Sequence, residues 1–118
     1  MSKMNKPIAG YHMLMLLSAV DGINSSKEDL VIEKWIENEM PVKVNLDSEI
    51  EVLSALPVDD YMIHFQKCMG DFYEDTTEKE RNEFLQYAIN LTKADKKITR
   101  TENIYLDELF NEWTETLI

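Results

Sequence analysis

Apolar positions along this chain recur at helical spacing and almost nowhere at the alternating spacing of a strand. The first periodic run covers 7–20, with Pro7 suited to a first helical position. Met13, Leu14, Met15, Leu16 and Leu17 leave that run no polar face, so it predicts a central, buried helix. A second helix is predicted over 26–39. Leu30, Val31, Ile32, Trp35 and Ile36 form its apolar stripe, Glu33, Glu37 and Asn38 face out, and Pro41 stops it. Residues 41–57 are less regular. PVKVNL at 41–46 is the one short exception to helical spacing, and Asp47 is placed to cap a short helix through Leu56 that carries Ile50, Leu53 and Leu56. Pro57 opens a fourth helix, striped by Tyr61, Phe65, Cys68 and Phe72, flanked by Met62 and Met69, and ending near Glu74 and Asp75. Thr77 and Glu80 form a capping box for a fifth, which carries Phe84, Leu85, Ala88 and Leu91. The last begins near Arg100 and carries Ile104, Leu106, Leu109, Phe110, Trp113 and Leu117. These elements predict an all-α fold, a single domain over 1–118 built as a bundle of about six helices.

The pattern also occurs twice. Residues 21–28 read DGINSSKE and residues 95–102 read DKKITRTE. An offset of 74 places Leu17 on Leu91, Ser18 on Thr92, Asp21 on Asp95, Ser25 on Thr99 and Glu28 on Glu102. The match continues through Leu30 on Ile104, Ile32 on Leu106 and Ile36 on Phe110. A helix–turn–helix hairpin is therefore expected at each end of the bundle.

Four acidic residues mark the joints. Ser25 three places before Glu28, and Thr99 three before Glu102, have capping-box spacing, in which the hydroxyl and the carboxylate each satisfy a free backbone N–H. Asp21 and Asp95 sit where a helix ends, and a negative charge there opposes the helix dipole by roughly 0.3–1 kcal/mol. Two readings are open. Each Asp can accept backbone N–H groups in a tight turn, with Gly22 relieving the first. Alternatively the joints meet, and Asp21, Glu28, Asp95 and Glu102 pool carboxylates for a hard divalent cation, Ca²⁺ or Mg²⁺. An EF-hand is excluded: with Asp21 at loop position five, positions one and three become Leu17 and Ala19, which cannot ligate calcium.

Composition narrows the function classes. The chain has 118 residues, 44% hydrophobic and 30% charged, with 23 acidic against 12 basic side chains and a net charge of −11. That balance argues against nucleic acid and anionic lipid, and permits a cation or a basic protein surface docked on an acidic face. The apolar stretch near the N-terminus ends in Asp21 and Gly22 rather than a small-residue cleavage site and is too short to span a bilayer, so a cytoplasmic protein is expected. Cys68 stands alone, which excludes an internal disulfide and a cysteine metal site and suggests an inert buried thiol, neither histidine being placed by sequence to serve it. His12 and His64 belong to no zinc motif, and there is no phosphate loop, nucleophile elbow or Cys/His pair, so no enzyme is expected. Tyr61 and Tyr73, with Met62 and Met69, could line a groove on one face.

Ala19-Val20-Asp21-Gly22 with Ser25 and Glu28, and Ala94-Asp95 with Ile98, Thr99 and Glu102, resemble the bacterial tellurite-resistance TerB-like domain over nearly the whole chain. The second copy has Lys96 where the first has Gly22. The resemblance implies a pseudo-symmetric pair of helix hairpins. It implies a binding or scaffolding module in tellurite or chemical-stress responses, with the paired acidic residues contacting metal or partner.

Overall fold

The computed structural model describes residues 4–20, 26–40, 46–93 and 100–114. Among them the chain forms six α-helices: α1 (Lys6–Ala19), α2 (Ser26–Glu39), α3 (Asp47–Ala55), α4 (Tyr61–Glu74), α5 (Glu78–Lys93) and α6 (Arg100–Thr114). One 3-10 turn, Val58–Asp60, precedes α4, and no strand is present among the described residues. The fold is all-α.

Helix α1 starts where Asn5 caps it, its side-chain oxygen accepting from the Ile8 N–H at 3.2 Å, with Pro7 in the first turn. Almost every side chain from Ala9 to Ser18 is buried, because α1 packs against α2, α3, α4 and α5. A helix apolar all round needs such a position. It comes close at Gly10, where a Cβ would collide with the indole of Trp35 on α2. That ring is fixed by its N–H, which donates to the Pro7 carbonyl at 3.1 Å. Aromatic contacts then run from Trp35 to Phe84 (5.1 Å between ring centres), Phe84 to Phe72 (4.9 Å) and Phe72 to Trp113 (5.3 Å), tying α2, α4, α5 and α6 into the core. Lys6 closes the rim, with its Nζ 2.8 Å from both Glu39 and Glu80.

The repeat is visible in the helix ends and in burial. Helices α1 and α5 end at Ala19 and Lys93, and α2 and α6 begin at Ser26 and Arg100, each pair 74 residues apart. Leu17 and Leu91 are both in the core, as are Ile32 and Leu106. Leu30 and Ile104 are expected in the buried stripes, but both face solvent, 56% and 52% exposed. Phe110 and Ile50 are likewise exposed, and Tyr105 is buried in the α6 stripe. Each stripe is narrower than its count of apolar residues, since each of these helices meets its neighbours along one side only.

Two boundary details differ from expectation. Asp47 is the first residue of α3, and the cap position is Leu46, with no side-chain cap bond. Pro57 leads into the 3-10 turn, and α4 proper starts at Tyr61. Pro41, most of the PVKVNL segment and Leu117 lie outside the described residues.

Candidate functional site

Asp21, Asp95, Ser25 and Thr99 lie outside the described residues, so half of the proposed acidic set has no placement here. Glu28 and Glu102 are placed, each in the first turn of its helix, and each is 0% exposed. Glu80 gives the comparison. It makes the reciprocal capping box expected of it: Thr77 N–H donates to Glu80 Oε1 at 3.0 Å and Glu80 N–H donates to Thr77 Oγ1 at 3.3 Å. Its side chain stays 33% exposed and reaches Lys6. Glu28 and Glu102 are buried with the inner faces of their helices. Ser18 Oγ, on the preceding helix, donates to Glu28 Oε1 at 3.5 Å. Thr92, the counterpart of Ser18, is also buried. Withdrawing a carboxylate from water is costly unless charge and hydrogen bonds compensate, and this fold does it twice at equivalent positions.

A second constellation lies where α1 crosses α4. His64 and Cys68 are four residues apart on α4, which places them on one helix face. His12, buried on α1, meets them from the other helix. His12 Nδ1 is 2.9 Å from His64 Nε2, and His12 Nε2 is 2.8 Å from Glu49 Oε1 on α3. One ligand atom from each of His12, His64 and Cys68 lies within 4.8 Å of the other two. With Glu49 accepting the Nε2–H of a neutral His12, the Nδ1 lone pair is directed at His64. The imidazole pair and Glu49 form a hydrogen-bonded chain that would be satisfied by itself. That chain does not require a thiol at the same point.

Burial depresses the pKa of His64, with further lowering from the neighbouring His12 and Lys67 and an opposing pull from Asp71. Burial pushes the Cys68 thiol up to about 12. Cys68 is thus the buried, protonated thiol expected from the sequence, and what the sequence did not place is the approach of both histidines to within 4.8 Å of it. The His64-x-x-x-Cys68 spacing carried a signal for His64, since four residues is one helical turn. His12 could not be found this way, because its approach depends on how α1 crosses α4.

The described surface also holds an open groove of about 570 Å³ between α4 and α6, lined by Gln66, Met69, Tyr73, Glu112 and Trp113 among others. Met69 and Tyr73 line it as expected, whereas Tyr61 and Met62 lie elsewhere. Among the described residues no helix is long and apolar enough to cross a membrane. No protein-family model, curated protein or solved structure matches the chain.

Proposed function

We propose that this chain is a non-enzymatic, TerB-like binding module of a tellurite or chemical-stress response, acting in the cytoplasm through its two acidic helix joints. Its ligand is a hard divalent cation, Ca²⁺ or Mg²⁺, taken by Glu28 and Glu102 together with Asp21 and Asp95. The carrying observation is that Glu28 and Glu102 are both fully buried at positions related by the repeat, whereas the ordinary capping glutamate Glu80 stays at the surface. Oxygen donors of this kind suit Ca²⁺ and Mg²⁺. The net charge of −11 would draw cations toward them, and it also favours a basic protein surface as the module's wider partner.

Calorimetric titration with Ca²⁺, Mg²⁺ and Mn²⁺ tests this reading on the wild type and on the double variant Asp21→Asn, Asp95→Asn. Binding heat in the wild type that disappears in the double variant is expected. No heat, or equal heat from both proteins, would remove the cation from the proposal.

A further inference from the structure

We propose that His12, His64 and Cys68 form a second metal site, chemically distinct from the acidic joints, that takes a zinc-class divalent ion through two imidazole nitrogens and one thiolate. The donors are His12 Nδ1, His64 Nε2 and Cys68 Sγ, brought within 4.8 Å of one another by the α1–α4 crossing. Zinc bonds of about 2.0–2.1 Å to nitrogen place two tetrahedral nitrogens roughly 3.3 Å apart. The two imidazole nitrogens stand 2.9 Å apart in a hydrogen bond, so loading parts them slightly and tilts both rings off their common line while the Cys68 thiol closes on the ion.

The surroundings match what such a ligand set needs. A metal-bound histidine usually donates its other ring N–H to a carboxylate, which fixes the tautomer and the ring plane. Glu49 already occupies that position, 2.8 Å from His12 Nε2. Two nitrogens and a sulfur select borderline-soft ions over Ca²⁺ and Mg²⁺, which prefer oxygen. Loading is a balanced exchange. The ion replaces the thiol proton of Cys68, which leaves to solvent, and the His64 ring proton moves from Nε2 to Nδ1 so that Nε2 can bond the metal. Three protein ligands leave the fourth tetrahedral position open to water or an incoming ligand. His64 is only partly buried, so that position can be reached from its side of the crossing.

Cobalt(II) reports on this site directly, since a Co²⁺–thiolate bond gives a near-ultraviolet charge-transfer band and tetrahedral Co²⁺ gives intense visible bands. Titrating the full chain with Co²⁺ should develop both at one ion per chain, and Zn²⁺ should bleach them, since it binds such donor sets more tightly. His64→Ala should weaken binding at least tenfold with the helical circular dichroism unchanged, because the ring is not part of the sealed core. Cys68→Ser should abolish the charge-transfer band. Because Cys68 is fully buried, this variant is read only alongside His64→Ala. Glu49→Gln should keep both bands and weaken affinity about tenfold. The double variant Asp21→Asn, Asp95→Asn should keep the bands at full strength, which separates failure of this site from failure of the acidic joints. A wild type that shows no charge-transfer band, or a band that is unaltered in His64→Ala or lost in the aspartate double variant, would overturn the proposal.

Discussion

Three glutamates occupy first helical turns in this molecule with three-residue cap spacing, and Glu80 is the one whose capping box lies wholly among the described residues. The hydrogen bond it accepts from Lys6 and the one from Thr77 N–H, with the Lys6 charge adding to them, hold its carboxyl at a pKa of about 2 against an opposing desolvation. A carboxylate with a depressed folded-state pKa adds stability above its unfolded pKa, and that stability is lost as pH falls toward the folded value. Wild type should therefore be more stable than Glu80→Gln above roughly pH 5. The difference should shrink progressively below that and be largely gone near pH 2. Urea midpoints of both proteins measured between pH 2 and 7 check this, and a gap that is constant across the range would contradict it. The capping box at Thr77 and Glu80 was readable from sequence because it concerns backbone N–H groups of one local turn. Cap spacing gives no information on which side of the helix meets the core, so the burial of Glu28 and Glu102 was not readable. His64 and Cys68 were readable as neighbours, but the arrival of His12 from another helix was not.

At the scale of elements, periodicity identified all six helices and placed α2 at its observed ends, because amphipathic stripes and proline stops are local properties. It overstated the width of the α2 and α6 stripes, since Leu30 and Ile104 are apolar for no reason their packing explains. One tightly constrained contact between elements is Gly10 of α1 against Trp35 of α2. In an ordinary helix interior, Gly→Ala stabilises by roughly 0.5–1 kcal/mol. Here the added methyl meets an indole pinned by its own hydrogen bond to Pro7, and overpacking of that kind typically costs about 1–3 kcal/mol. Gly10→Ala should thus destabilise by about 1–2 kcal/mol. Chemical denaturation gives the sign directly, and a stabilised variant would show that α1 and α2 can move apart without cost.

For the whole molecule, 23 acidic and 12 basic side chains produce a repulsion that opposes compaction. Screening shortens from about 30 Å at 0.01 M salt to about 8 Å at 0.15 M. The thermal midpoint should rise by a few degrees over that range, despite some weakening of the Lys6 ion pairs. At matched ionic strength, Ca²⁺ or Mg²⁺ should raise it further if the acidic joints take a cation, and equal midpoints in NaCl and CaCl₂ would count against them. The two constellations also differ in their relation to the duplication. Glu28 and Glu102 are counterparts, whereas His64, Cys68 and Glu49 belong to α3 and α4, which stand between the two hairpins and have no copy. The counterpart of His12 is Gln86, exposed on α5. Any property of Glu28 therefore has a ready internal control at Glu102, whereas the imidazole–thiol cluster has no such twin within the chain.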